Sequence, residues 1–468
     1  MGIHIKFGTD GWRAIIAKEF TVDNVARVSE ATAAFVTARG LEKLAVVGYD
    51  CRFGGRLFAE TTARIFAAKG LRCIIAPAFV STPMLSLAVV HFSAGIGVII
   101  TASHNPAEYN GFKVKAAYGG AAIPSDIATI ETYIPDVPMT SGSSFEEYLH
   151  NGMIRYEDLE EIYYQHAMAK FDMDAIKHLP GEITYDAMYG AGQNILPRLL
   201  PAAKLFHCEV NPGFHGQAPE PLEKNLPDQK KYMQQNPGAV IGLATDGDAD
   251  RIGLYNVGGR FVDSHRILLL LIHYFHHYKG MSGKVVVSFS ATEKIARLCA
   301  HYHLPIEITK IGFKYICEIM MNEEVMVGGE ESGGVAVCGH IPERDGIWAG
   351  LLIMEAVAKT GKSIDVLLAE IYDIVGNFEY DRLDMHITED LKQRVLAACN
   401  EGVFKNFDDL LIIKTEDLDG YRYYFSENSW VMIRASGTEP LLRVYGQAPT
   451  MPEVKTLLAK VEKVLRAS

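Results

Sequence analysis

No stretch of this 468-residue chain reaches the roughly 18 consecutive apolar residues that cross a bilayer. The longest candidate, residues 267–272, runs straight into His273, His276 and His277, which read as a partly buried helix face. The opening residues Gly2, Ile3 and His4 show no signal-peptide pattern. Cysteine is sparse as well: seven residues, dispersed and odd in number, with no CxxC pair. That argues against a disulfide framework and a zinc site, and for free thiols in a reducing cytoplasm. There is no excess of basic charge either. Lys and Arg total 45 against 57 Asp and Glu, a net charge of −12, which argues against a general nucleic-acid surface. An anionic small substrate stays compatible, because a local cluster of Arg and Lys can dominate one cleft.

Hydrophobic residues make up 49% of the chain and charged residues 22%, enough to build full cores. The length suggests three or four domains of roughly 100–150 residues each. Thr21 reads as a helix N-cap and Gly40 as the matching C-terminal stop. Residues 44–47 read as a strand, a further helix and strand follow, and 96–100 is an apolar run that reads as a buried strand. Strand and helix alternate through residue 370, the mark of α/β folding. Residues 134–144 contain Pro135, Pro138 and a Ser-Gly-Ser-Ser cluster, a linker by composition. From about Asn377 the pattern changes to two strand-like stretches, a helix near 392–399 and a closing helix. One face of that closing helix carries Val454, Leu457, Leu458, Val461, Val464 and Leu465. The expected fold is α/β: three similar α/β domains with mixed sheets and a smaller C-terminal α+β domain. The expected boundaries are 1–145, 146–256, 257–370 and 371–468.

Four apolar strands each end in a polar, glycine-bearing loop, one per expected domain. The first is TASHNP at 101–106, which holds Ser103 and His104 at a strand end, where open α/β sheets place ligands. Lys113 follows in Asn110-Gly111-Phe112-Lys113, and upstream Arg13 ends a glycine-rich turn able to offer a planar donor fork to phosphate. The second loop is DGDAD at 246–250 followed by Arg251. Asp246, Asp248 and Asp250 brought close together repel unless a cation sits among them, and hard oxygen ligands suit Mg²⁺, Mn²⁺ or Ca²⁺. An EF-hand is excluded, because its sixth and twelfth positions would be Arg251 and Val257. The third loop, GGEESGG at 328–334, offers Glu330, Glu331 and Ser332 to sugar hydroxyls or a second cation. The fourth, RASGTEP at 434–440, places Arg434, Ser436, Gly437 and Thr438 together, a phosphate cradle by inventory but not a Walker loop.

Taken in order, TASHNP, DGDAD-Arg, GEESGG and RASGTEP resemble the signatures of the α-D-phosphohexomutase family of phosphoglucomutases and phosphomannomutases, and they run from the first expected domain to the last. The resemblance implies four domains around one central cleft. It implies that Ser103 carries a phosphoryl group, and that Asp246, Asp248 and Asp250 bind one Mg²⁺ per chain with a phosphoserine oxygen as a further ligand. Glu330 and Ser332 would read sugar hydroxyls, and residues 434–438 would grip the distal phosphate. His104, Lys113, Arg13 and Arg251 would stand near the transferring phosphate, with the general base open between Lys113 and His104. Lys310, Gly312, Arg344 and Arg443 are further candidate substrate contacts. The implied reaction passes through a hexose 1,6-bisphosphate, which also serves as activator. The implied partner is a small phosphosugar, with no nucleic acid and no membrane, for a monomer or homodimer in the cytoplasm. At positions 331 and 334 this chain has Glu and Gly, where the dual glucose/mannose branch usually has Met and His and the glucosamine branch Gln and His. Residues 311–314 and 345–348 look more like the glucose branch. Glucose 1-phosphate is therefore the expected substrate. Mannose phosphate, dual specificity or a non-catalytic phosphosugar-binding role are the alternatives.

Overall fold

The computed structural model describes residues 2–435 and 441–468, so Ser436, Gly437 and Thr438 lie outside the described residues. The described chain forms two compact units. One runs to Val287 and takes in Leu304–Glu307 and Gly312–Ala369; the other holds Ser288–His303, Ile308–Ile311 and the chain from Glu370 onward.

The first sheet has the order β1 (Trp12–Ile15), β5 (Tyr109–Ala116), β4 (Ile96–Ile100), β2 (Leu44–Tyr49), β3 (Arg72–Ile75), β6 (Ile154–Tyr156). The second is β11 (Phe261–Val262), β10 (Ile252–Tyr255), β9 (Ala239–Thr245), β7 (Glu182–Asp186), β8 (Lys204–Phe206). The third is β13 (Ile306–Thr309), β12 (Lys284–Ser288), β14 (Val325–Gly329), β15 (Val335–Val337). All three share one plan. A parallel pair (β2 with β4, β7 with β9, β12 with β14) leads into an antiparallel return strand (β5, β10, β15). In the first sheet the central strand β4 is apolar along its length because it is buried on both faces; every one of its residues is buried. In the first helix, Val22–Ala38, the Thr21 hydroxyl accepts from the Asn24 N–H as the N-cap, and Gly40 takes φ +64° just beyond the end.

The expected boundary at 145 cuts this first sheet. β6 pairs in parallel with β3, Cys73 opposite Ile154 and Ile75 opposite Tyr156. The serine cluster is not a plain linker: Ser144 caps the helix Phe145–His150, with Glu147 completing a capping box. β6 has three residues, of which only Ile154 is buried, too short for alternation to reveal it.

The C-terminal part of the second unit is α+β. Its sheet runs β16 (Glu379–His386), β22 (Leu441–Ala448), β21 (Ser429–Ala435), β20 (Tyr421–Ser426), β19 (Lys414–Glu416), with a small hairpin of β17 (Asn406–Phe407) and β18 (Leu410–Leu411). This is a larger sheet than the two stretches expected. Val454, Leu457, Leu458, Val461 and Leu465 of the helix Met451–Ala467 are buried in its core.

Candidate active site

β2 and β4 are in register, Tyr49 opposite Ile100, so the residues that follow them leave the sheet side by side. Ser103 is buried with φ +52°, a left-handed conformation that costs a non-glycine residue about 1–2 kcal/mol. Its hydroxyl donates to Asp246 Oδ2 at 2.6 Å. His104 Nδ1 stands 3.5 Å from the same hydroxyl oxygen. Burial holds His104 well below its ordinary pKa, reinforced by the charges of Arg251, Arg13, Lys113 and Arg52. The ring is therefore held neutral.

The β9–β10 loop supplies the acids. Asp246, Asp248 and Asp250 are fully buried, and one oxygen from each falls within 4.8 Å of the others, the only such group among the described residues. Burial, then the charges of Asp248 and Asp250, push Asp246 well above its ordinary pKa. Burial also presses on Asp248, but the charge and hydrogen bond of Lys113 together with the hydrogen bond from Thr82 hold that carboxyl low. Lys113 Nζ lies 2.8 Å from Asp248, 3.1 Å from Asp250 and 2.8 Å from Asp10. Those carboxylates overcome its burial and raise its pKa, so it stands as a fixed cation. Arg251 Nε approaches Asp246 at 4.0 Å and Asp250 at 3.9 Å. Among the described residues, Asp248 Oδ1 and Asp250 Oδ1 are buried without a hydrogen-bond partner. A buried carboxylate oxygen left so is costly. Three converging hard oxygens with open lone pairs fit a divalent cation such as Mg²⁺.

The β14–β15 loop lies against the acidic one, with Arg251 bridged to Gly334 and the Ile252 N–H donating to the Gly333 carbonyl at 3.1 Å. Glu330 is buried, accepts from the Gly312 N–H at 2.9 Å, and is raised to about 7 by burial against the pull of Arg344. Ser332 is partly exposed at the loop tip. Arg344 lies 2.6 Å from both Asp10 and Asp250, and 3.8 Å from Glu330. Arg13 donates to Asn105 Oδ1 at 2.6 Å. The first unit thus brings together Ser103, His104, Lys113, Arg13, Arg251, Arg344, Glu330 and the three aspartates.

Lys310, Arg434 and Arg443 belong to the second unit. Lys310 is exposed. Arg434 and Arg443 are directly opposite each other on β21 and β22, which puts both guanidinium groups on one face of the sheet. Asp419 lies 3.4 Å from Arg434, and Asp384 lies 3.9 Å from Arg443.

Several residues here escaped the sequence reading. Asp10 binds Lys113 and Arg344. Thr82 donates to Asp248 Oδ2 at 2.6 Å. Asp50 and Arg52 hold the Ser103 loop. For Asp50 and Arg52 a signal existed: they follow a buried strand, as Ser103 does.

Four family profiles match in sequence order: phosphoglucomutase/phosphomannomutase alpha/beta/alpha domain I at residues 4–139, domain II at 161–259, domain III at 263–375, and the C-terminal domain at 389–464. A solved structure from Thermus thermophilus that carries the name phosphomannomutase is 34% identical, with full coverage of both chains and a TM-score of 0.87. The chain belongs to the phosphoglucomutase/phosphomannomutase family, the α-D-phosphohexomutases. The phosphoglucomutase/phosphomannomutase of Thermococcus kodakarensis is 29% identical over 98% of each chain. The probable phosphoglucosamine mutase of Methanosphaera stadtmanae is 28% identical over 96% of each. As an α-D-phosphohexomutase the chain is a mutase, an intramolecular phosphotransferase of sugar phosphates, built from three similar α/β domains and a C-terminal α+β domain. Three signature loops occupy equivalent places: TASHNP joins β4 to β5, the acidic loop joins β9 to β10 and the GEESGG loop joins β14 to β15; of RASGTEP only Arg434 and Ala435, at the end of β21, are described.

Proposed function

We propose that this chain is a Mg²⁺-dependent phosphoglucomutase that interconverts glucose 1-phosphate and glucose 6-phosphate through phosphorylated Ser103 and glucose 1,6-bisphosphate. The observation that carries this reading is the buried Ser103 hydroxyl, 2.6 Å from a carboxylate of the three-aspartate group. Those aspartates and a phosphoserine oxygen would hold Mg²⁺, which when bound neutralises charge on the phosphoryl group. In the forward half-reaction a sugar hydroxyl attacks the Ser103 phosphorus. A new sugar O–P bond forms, the Ser103 O–P bond breaks, and the serine oxygen leaves. His104 takes the hydroxyl proton, since it is neutral while Lys113 is held as a cation. Lys113 and Arg251 offset the charge that spreads over the transferred group. The bisphosphate then turns over, and its other phosphate returns to Ser103 by the same step reversed.

Glu330 and Ser332 serve the sugar hydroxyls, Gly312 orients Glu330, and Arg13 and Arg344 face the phosphate. Arg434 and Arg443, with Lys310, Ser436, Gly437 and Thr438, serve the distal phosphate. Preference for glucose rests on Glu331, Gly334 and residues 311–314 and 345–348. The four-domain division belongs to this reading, with the first boundary moved past Tyr156, as does a cytoplasmic monomer or homodimer with no nucleic-acid partner. Among the described residues no helix is long and apolar enough to cross a membrane.

Phosphorus NMR tests the reading. With Mg²⁺ and a trace of glucose 1,6-bisphosphate, the protein should convert glucose 1-phosphate quickly and mannose 1-phosphate or glucosamine 1-phosphate slowly. Equal turnover of mannose 1-phosphate would make the enzyme dual. No turnover of any of them would leave a phosphosugar-binding role. Ser103→Ala should abolish conversion and retain binding; full turnover by that variant would rule out the phosphoserine route.

A further inference from the structure

Both main-chain polar groups of Ser103 are held by side chains. Its N–H donates to Thr101 Oγ1 at 2.9 Å, and that hydroxyl donates to Asp50 Oδ2 at 2.5 Å. Its carbonyl accepts from Arg52 Nη2 at 2.6 Å. The same nitrogen reaches the Asn105 carbonyl at 2.6 Å, and Nη1 reaches the carbonyls of Pro106 at 2.8 Å and Tyr109 at 3.0 Å. One buried guanidinium thus collects four carbonyls of the loop that carries the nucleophile. Asp50 pairs with Arg52 Nε at 3.3 Å and caps the Arg52 N–H at 2.9 Å, and both side chains are fully buried. The Phe214 ring covers the guanidinium, its centre 4.9 Å away. The acidic loop presses close to the same carbonyl: a Cβ at Gly247 would lie 2.4 Å from the Ser103 oxygen.

We propose that Asp50 and Arg52 are positioning residues that hold Ser103 in its left-handed conformation and so aim its hydroxyl at the three aspartates. The inference rests on the phosphoserine reading above. Holding a residue by both its N–H and its carbonyl sets φ and ψ, which sets the direction of the Cα–Cβ bond. A serine with φ +52° persists only where its surroundings over-determine it. Phosphoryl transfer needs attacking oxygen, phosphorus and leaving oxygen nearly in line, and a misplacement of about 1 Å costs roughly 100-fold in rate. All four Arg52 carbonyl contacts fall on residues 103–109, as they should if the side chain acts on that loop rather than on substrate.

The experiment compares wild type with Arg52→Met, Arg52→Lys and Thr101→Val. It follows phosphate transfer from glucose 1,6-bisphosphate to Ser103 by intact mass, and kcat and KM for glucose 1-phosphate. Arg52→Met should lose roughly 100-fold in transfer and kcat, with KM changed by less than about threefold. Arg52→Lys should recover part of the loss, because an ammonium can meet some of the four carbonyls but lacks the fork. Thr101→Val keeps both charges and should lower kcat at unchanged KM. A folded Arg52→Met with wild-type kcat overturns the proposal, as does a kcat loss matched by an equal rise in KM in every variant. If Arg52→Met does not fold, Thr101→Val decides, and a wild-type kcat there overturns it. Failure of the phosphoserine reading looks different: wild-type protein then carries no phosphate on Ser103.

Discussion

Arg344 occupies the space that a side chain at position 334 would fill: a Cβ at Gly334 would lie 2.3 Å from Arg344 Cδ and 3.0 Å from Cγ. The bare glycine lets the arginine stem cross the β14–β15 loop and place its head 2.6 Å from Asp10 and Asp250. The glycine at 334 and the arginine at 344 are one steric arrangement. Gly334→His should displace Arg344 and lower kcat/KM by roughly 10- to 100-fold, in line with an overpacking cost of about 1–3 kcal/mol. Arg344→Ala should give a similar loss, and the double variant a loss well short of the sum, because both changes remove the same contacts. Steady-state kinetics on glucose 1-phosphate checks this.

The aspartates should make stability depend on metal. Their mutual repulsion and the partnerless oxygens of Asp248 and Asp250 are relieved by a cation. Mg²⁺ at 100 times its Kd should stabilise the fold by about 2.7 kcal/mol, seen as a higher Tm by calorimetry, and chelation should reverse it. Asp250→Asn should lose most of that Mg²⁺-dependent rise. An identical rise in wild type and variant would count against this site.

Glu330 should leave a pH signature. Burial raises it from 4.5 to about 7 despite Arg344. Between those values the folded chain keeps a proton that the unfolded chain has released. Stability from this group is therefore present below 4.5 and is lost as pH rises toward about 7. Glu330→Gln does not titrate, so its Tm relative to wild type should climb through that window and level off above it. If ionised Glu330 accepts hydrogen bonds from the sugar, wild-type kcat/KM should rise through about pH 7, and Glu330→Gln should lack that limb.

Lys115 and Glu343 form an ion pair with both side chains fully buried. Lys115→Ala strands the carboxylate and should cost about 3–5 kcal/mol, whereas Lys115→Met with Glu343→Leu should recover most of it. Thermal unfolding of the single and double variants distinguishes the two outcomes.

Much of this site was legible along the chain. Ser103, the three aspartates and Glu330 each sit just beyond an apolar strand, so strand pattern and polar loop together point to them. Asp10 and Thr82 were not legible, since each stands among residues that read equally well as surface, whereas Asp50 and Arg52 follow a buried strand and were passed over. The β6 strand was missed because three residues carry no usable alternation, so its pairing with β3 was not foreseen.

The sequence by itself determined the alternation of strand and helix, the four loops and the chemical inventory of each. These depend on neighbours two to four residues apart, where side-chain periodicity and turn chemistry act. Tertiary structure alone decided which charges meet. Arg344 and Asp10 are separated by 334 positions, Lys113 and Asp248 by 135, and Arg52 and Ser103 by 51. Their meeting follows from strand register and sheet order. Those are set by burial of whole apolar faces, and no local pattern along the chain encodes them.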